Sequence, residues 1–118
     1  TRSALDHGIP ITSHTDAPVV LPNLMQVVWA TVNRVTRSGK VLGPEERLTP
    51  EEALKAITLW GAWQHFEEGE KGSITPGKRA DLVILSDNPL TIEPMQLNDI
   101  LVLETIKDGE TVWRRPRN

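Results

Sequence analysis

Cysteine is absent from this sequence of 118 residues. Its absence excludes a disulfide framework and any thiolate chemistry within the chain. No apolar run approaches the roughly 18 residues that a membrane-spanning helix needs, and the N-terminus lacks the basic-then-apolar pattern of a signal peptide. We therefore expect a cytoplasmic protein with no membrane partner.

The chain also lacks an excess of positive charge. Thirteen lysines and arginines stand against sixteen acidic residues, which gives a formal net charge of −3, so no global field would attract nucleic acid. The basic cluster Arg114-Arg115-Pro116-Arg117 at the end of the chain is interpreted as a solvated tail. We expect no nucleic-acid partner.

Several sequence signatures of catalysis are missing as well. There is no His-Glu-x-x-His, no Gly-rich phosphate loop and no Gly-x-Ser-x-Gly elbow. Of the three histidines, His7 and His65 fall near predicted helix C-termini, where an imidazole interacts favourably with the helix dipole. The sequence does not predict a complete catalytic site within this chain.

What the chain does contain is typical of one soluble globular domain at most. Hydrophobic residues make up 38% and charged residues 25% of it. Residues 2–7 resemble the last turn of a helix, and Gly8 follows as its C-terminal cap. Residues 9–13 then predict a buried strand entered through Pro10. Because the chain begins at Thr1 rather than methionine, we expect a piece cut from a longer protein.

A carboxylate follows the predicted strand directly. In parallel α/β barrels the active site lies at the C-terminal ends of the strands, so Asp16 is the best candidate for a catalytic residue and metal ligand. On spacing alone, a turn or cap aspartate is the favoured alternative, since Asp before Ala-Pro is common in loops. His14 would share its face of a strand; it could bind the same metal or hydrogen-bond a neighbour.

Two main helices are predicted next. Residues 23–37 carry one apolar face at helical spacing, formed by Leu24, Val27, Val28, Thr31 and Val35. A second helix begins at a capping box of Thr49 and Glu52 and runs to about Phe66. We interpret three aromatic residues of this helix as core: Trp60, Trp63 and Phe66.

From Gly72 onward the pattern is that of strands. Residues 73–74 and 80–85 flank a Pro76-Gly77 turn and predict a β-hairpin. Residues 93–97 predict a short helical turn. Residues 100–107 and 111–114 predict a second hairpin across Asp108-Gly109, a favoured two-residue connection. The chain by itself is therefore of the α+β class.

Five segments, taken in order, resemble the amidohydrolase superfamily, and they span nearly the whole chain. The similarity is greatest to the branch of metal-dependent hydrolases that includes N-substituted formamide deformylases and proteins labelled exoenzyme regulators. The segments are Thr15-Asp16-Ala17-Pro18-Val19, LTPEEAL at 48–54, KGSITPGKRADLV at 71–83, Asp87-Asn88-Pro89-Leu90 and TIKDGETVW at 105–113.

This resemblance implies an α/β parent protein that combines a distorted (β/α)8 (TIM) barrel with a small composite β-sandwich. Residues 1–70 would supply the last strand and helices of the barrel. Residues 71–118 would supply the C-terminal strands of the sandwich. The chain would thus be the C-terminal portion of such a protein.

The resemblance also implies a role for Asp16. The aspartate at the end of the last barrel strand in this family binds the catalytic metal and shuttles the proton of the attacking water. The cofactor implied for the parent is a divalent metal, zinc by preference. The other ligands implied are a His-x-His, a bridging carboxylate or carboxylated lysine and two later histidines, all upstream of Thr1. We expect no metal and no activity in this chain alone.

Two functions remain open from the sequence. The first is the end piece of a hydrolase that cleaves carbon–nitrogen bonds other than peptide bonds, with a small amide-type or formamide substrate. The second is a non-catalytic regulatory or structural domain with the same fold, since fold does not fix function. In either case a lone barrel strand exposes unpaired backbone groups, so we expect a homo-oligomer.

Overall fold

The computed structural model describes residues 1–116 of the chain. Its four α-helices and three β-strands, in order, are α1 (Arg2–Asp6), α2 (Leu24–Asn33), α3 (Pro50–Ile57), α4 (Leu59–Gln64), β1 (Leu82–Leu85), β2 (Val102–Lys107) and β3 (Glu110–Arg114). The strands form one antiparallel sheet in the order β1-β2-β3. The predicted α+β class of the chain is confirmed. Over these residues no helix is long and apolar enough to cross a membrane.

The N-terminal helix is confirmed, but the strand predicted after it is not. Gly8 follows α1 with a left-handed φ of +73°. Residues 9–13 run extended without strand pairing; Ser13 instead donates its N–H to the carbonyl of Ala56 in α3 at 3.1 Å. A strand is defined by its ladder with a neighbour, and no strand lies beside this segment in the part of the chain described.

Helix α2 is shorter than predicted. Asn23 caps its start by accepting the N–H of Gln26 at 3.3 Å. The helix ends at Asn33 because Arg34 adopts a left-handed φ of +55°, and Val35 then forms an isolated β-bridge with Val41. Val28 of the predicted apolar face is buried, but the rest of that face was wrong by about one position, since the other buried residues of α2 are Met25, Val32 and Asn33.

Both hydrogen bonds of the predicted capping box at the start of α3 are confirmed. The Thr49 side chain accepts the N–H of Glu52, and the Glu52 side chain accepts the N–H of Thr49. The predicted single helix nevertheless breaks at Thr58, whose φ and ψ are −130° and −91°. Its hydroxyl donates to the carbonyl of Leu54 at 2.7 Å, a side-chain bond that competes with helical geometry.

Two of the aromatic residues in and after α4 are not core residues. Trp63 is 47% exposed and Phe66 is 92% exposed, so the core interpretation was wrong for both; Trp60 is half-buried. The physical reason is that none of the described segments packs as a second layer over their side of α4.

The second predicted hairpin is confirmed and the first is not. Asp108 and Gly109 have φ of +49° and +84°, which fits the type I′ turn that joins β2 to β3. The Pro76-Gly77 turn does form, with the N–H of Lys78 donating to Thr75 O at 3.1 Å. However, residues 73–74 join no strand, and β1 pairs with β2 instead.

The short helix predicted at residues 93–97 is present as the 3₁₀ helix Pro94–Asp99, and a second 3₁₀ helix spans Pro44–Glu46. At the end of the chain Arg114 is the last residue of β3 and pairs with Glu104 at 2.9 Å. Arg117 of the predicted basic tail lies outside the described residues.

One core joins the helical and the sheet-containing parts of the chain. It combines residues of α2, of α3 and of the turn before α3 with two residues from the connection between β1 and β2. Its members are Met25, Val28, Val32, Leu48, Ala53, Leu97 and Ile100. Polar contacts reinforce it: Trp29 Nε1 donates to Met95 O at 3.0 Å, and Asn33 Nδ2 donates to Pro94 O at 2.8 Å. Helix α2 therefore packs both against α3 and against the residues that connect β1 to β2.

Candidate active site

Asp16 lies in a turn at the end of the extended segment, with an exposed side chain. Its φ is +51°, a left-handed conformation that Asp and Asn tolerate better than other non-glycine residues. Its carbonyl accepts the N–H of Val19 at 2.8 Å. The turn therefore presents the carboxylate outward on a fixed stretch of backbone.

His14 contacts Asp16 through the backbone rather than through the carboxylate. The N–H of Asp16 donates to His14 Nδ1 at 3.0 Å. The open alternative of a histidine that hydrogen-bonds a neighbour is thus the one observed. The expectation of a shared strand face was wrong, because the segment is not a strand and Asp16 turns away into the left-handed region.

The extended segment is attached to the helices behind it at two points. Ser13 N–H reaches Ala56 O, and the Thr12 hydroxyl donates to Gln64 Oε1 at 2.7 Å. The first contact links the segment to α3 and the second to α4. These contacts set the position from which the Asp16 turn starts.

An open groove of about 480 Å³ lies beside the turn, between the extended segment and α2. His14 and Thr15 line one wall, and Gln26, Thr31 and Arg34 line the other. Asp16 is not among the lining residues. The groove and the candidate carboxylate are therefore neighbours that do not form one pocket within the described chain.

The described residues could supply one ligand to a metal ion. Asp16 offers a carboxylate oxygen, a donor that zinc and other divalent cations accept. Over residues 1–116, however, no group of three or more His, Cys, Asp or Glu side chains could hold an ion. His7 binds Ser3 O through Nδ1 at 2.7 Å, and His65 caps the end of α4. A complete metal site would need ligands from elsewhere.

An ion pair that the sequence did not reveal links α1 to α3. The Arg2 guanidinium binds the Glu52 carboxylate. This hydrogen bond is the largest cause that lowers the pKa of Glu52; the Thr49 N–H adds to the effect and partial burial opposes it. The pair ties α1 to the first turn of α3. From the sequence, Glu52 could be recognised only as part of the capping box, because its partner Arg2 lies fifty residues away.

Comparison with known proteins identifies the family. Residues 1–113 match the sequence profile of the Amidohydrolase family. The chain is 34% identical over 114 residues to the N-substituted formamide deformylase of Arthrobacter pascens, an alignment that covers 97% of this chain and 21% of that protein. It is 30% identical over 116 residues to an imidazolonepropionase of Alkaliphilus metalliredigens, covering 98% of this chain and 26% of that protein.

A solved structure agrees with these matches. The crystal structure of an amidohydrolase from Thermotoga maritima MSB8 superposes with a TM-score of 0.69 at 30% identity, covering 94% of this chain and 24% of that one. The chain thus spans about a quarter or less of the length of these relatives. The resemblance drawn from the sequence motifs is confirmed, and the chain belongs to the amidohydrolase family.

Proposed function

We propose that this chain is the C-terminal portion of a metal-dependent hydrolase that cleaves carbon–nitrogen bonds other than peptide bonds. One observation carries the proposal: in a chain of the amidohydrolase family, the exposed carboxylate of Asp16 stands on a hydrogen-bonded turn directly after an extended segment. The most similar relative described above is named for the deformylation of N-substituted formamides. We take an amide or formamide as the substrate class.

The architecture proposed for the parent is a distorted (β/α)8 barrel joined to a small β-sandwich. In it, residues 1–70 provide the last barrel strand and its helices, and residues 71–118 provide sandwich strands. The extended segment at residues 9–13, which lacks a strand partner among residues 1–116, supports a barrel strand whose neighbours come from other parts of the parent. The outer edge of β1, which has no strand partner in the described part of the chain, supports further sheet strands in the same way.

In the proposed mechanism Asp16 is the catalytic residue of this chain. Its carboxylate would hold the metal and would accept the proton of the attacking water, then return that proton to the departing amine nitrogen. A divalent cation bound there, zinc in our proposal, would supply Lewis-acid activation of water. The exposed position of Asp16 suits both tasks, because it leaves the residue accessible to groups from outside this chain.

The non-catalytic alternative is the weaker of the two functions. It would explain why the described residues hold a single candidate ligand. It is disfavoured by the relatives, which are named as a deformylase and an imidazolonepropionase. The cytoplasmic location and the homo-oligomeric state stay predictions.

The proposal is tested by assaying the full-length protein beside this 118-residue chain. Metal content would be measured by elemental analysis, and hydrolysis would be followed with a panel of N-substituted formamides and simple amides. We expect bound divalent metal and turnover in the full-length protein alone. A folded full-length protein that takes up no metal and hydrolyses none of the panel would establish the non-catalytic alternative.

A further inference from the structure

We propose that His14 is a positioning residue for Asp16, acting as a hydrogen-bond acceptor through Nδ1 rather than as a metal ligand. The inference rests on the proposed function, since it takes Asp16 as the residue that does the chemistry. Its basis is the contact between the backbone N–H of Asp16 and His14 Nδ1 at 3.0 Å.

The turn needs such support because its conformation is unfavourable. A non-glycine residue in the left-handed region is strained and keeps that conformation only where its surroundings hold it. Two hydrogen bonds flank the backbone of Asp16: His14 accepts from its N–H, and Val19 donates to its carbonyl. Together they restrain the peptide groups on both sides of the Cα that carries the carboxylate.

His14 is well placed to transmit order from the helices to the turn. The two residues before it are attached to α3 and α4, through Ser13 N–H to Ala56 O and the Thr12 hydroxyl to Gln64. Ala56 is 1% exposed and therefore part of the rigid interior. His14 is the next residue along, and its ring extends this anchoring by two residues to Asp16.

The direction of the hydrogen bond limits what else the ring can do. Because Nδ1 accepts the N–H of Asp16, the hydrogen of the neutral imidazole resides on Nε2. Nδ1 has no second lone pair for a cation while this bond lasts. Nε2 carries the hydrogen and cannot bind a cation in this tautomer, so a ligand role through Nε2 would require the hydrogen to move to Nδ1 and the hydrogen bond to Asp16 to break. The two roles of His14 therefore exclude each other and can be separated by substitution.

Substitution of His14 by asparagine or by glutamine separates the positioning role from the ligand role. Asn places an oxygen near the position of Nδ1, and its side chain commonly accepts the N–H two residues on in an Asx-turn. Gln reaches further and places its oxygen near the position of Nε2. A positioning role therefore predicts rescue by His14→Asn and no rescue by His14→Gln, whereas a ligand role through Nε2 predicts the reverse.

The first arm of the test uses the 118-residue chain and needs no activity. Amide hydrogen exchange at Asp16 is measured by NMR in the wild type and in the Asn, Gln and Ala variants at position 14. We expect protection in the wild type and in His14→Asn, and at least roughly fivefold faster exchange in the other two, the loss of about 1 kcal/mol of hydrogen bonding. Equal exchange in all four would overturn the inference.

The second arm uses the full-length protein and compares kcat with KM. We expect His14→Asn to keep kcat within about threefold, and His14→Gln and His14→Ala to lose about 10–100-fold in kcat with KM and metal content unchanged. Loss of metal in the Asn variant, or a full kcat in the Gln variant, would overturn the positioning role. An inactive wild type would overturn the proposed function alone, since the exchange arm decides the hydrogen bond independently.

Discussion

Gly72 has no room for a side chain. Its φ is +89°, and a Cβ built there would lie 2.6 Å from Ala62 Cβ and 3.1 Å from Leu59 Cα. These contacts place the start of the sheet-containing part directly against α4. We expect Gly72→Ala to lower the free energy of unfolding of this chain by about 2–4 kcal/mol, since backbone strain and overpacking add. Urea unfolding followed by circular dichroism measures this change.

Gly77→Ala is the matched control for backbone strain. Gly77 has a similar φ of +92°, but a Cβ there would meet no atom within 4 Å. We expect this variant to lose only about 1–2 kcal/mol, the strain alone. Equal losses in the two variants would contradict the close packing of Gly72 on α4.

Glu52 predicts a pH dependence of stability. Its pKa in the folded chain lies below its ordinary value of 4.5, chiefly through the Arg2 hydrogen bond. The stabilisation is therefore fully present above pH 4.5 and is lost as the pH falls through the folded pKa. We expect Glu52→Gln to flatten the fall in unfolding free energy below pH 4.5, measured by urea unfolding at several pH values.

Glu68→Gln is the control for this prediction, because it removes one negative charge from a carboxylate that makes no hydrogen bond or ion pair among residues 1–116. This control should leave the slope of stability against pH unchanged. If both variants alter the slope equally, net charge rather than the Arg2–Glu52 pair governs the acid response.

At the scale of elements, the N-terminus of α3 depends on its cap. Thr49 accepts the N–H of Glu52 at 3.3 Å, and Glu52 accepts the N–H of Thr49 at 2.8 Å. We expect Thr49→Ala to lower the free energy of unfolding by about 1 kcal/mol, because an N–H of the first helical turn then loses its acceptor. Thr49→Ser keeps the hydroxyl and should stay within about 0.5 kcal/mol of the wild type. An Ala variant as stable as the Ser variant would rule out the cap as a source of stability.

Elements set by local chemistry were predictable from the sequence. The capping box at Thr49 and the Asp108-Gly109 turn each lie within a few residues, and both were found where the sequence placed them. The predicted hairpin at residues 73–85 was wrong because the choice of partner for β1 is non-local. The break at Thr58 also escaped prediction, since it depends on one side-chain hydrogen bond rather than on the apolar pattern.

The candidate site shows the same contrast between local features, which the sequence predicts, and non-local ones, which it does not. The candidate role of Asp16 was predicted from its motif and from its place after an apolar segment, and it stays a prediction. Its left-handed backbone and the acceptance of its N–H by His14 could be seen only in three dimensions, because a strand pattern predicts an extended Asp16. The Arg2–Glu52 pair joins residues far apart in the sequence, and no periodicity marks it.

For the whole molecule, the surface of this chain predicts self-association. Phe66 and Ile74 are 92% and 90% exposed, and the outer edge of β1 has no strand partner among residues 1–116. Exposed apolar side chains and open edges favour association in water. We expect sedimentation velocity of the isolated chain to show dimers or larger species that increase with concentration. Phe66→Gln with Ile74→Gln should reduce them, and a monomer at every concentration would contradict this prediction.

The measurement that tests the account most directly is kcat of the full-length protein with Asp16→Asn, using an N-substituted formamide as substrate. Asn matches Asp in shape and tolerates the same left-handed backbone, so the turn should persist while the negative charge and the proton acceptor are lost. We predict a fall in kcat of about 10²–10⁴-fold with an unchanged circular dichroism spectrum. A folded variant that turns over at the wild-type rate would contradict the assignment of Asp16 as the catalytic residue of this chain.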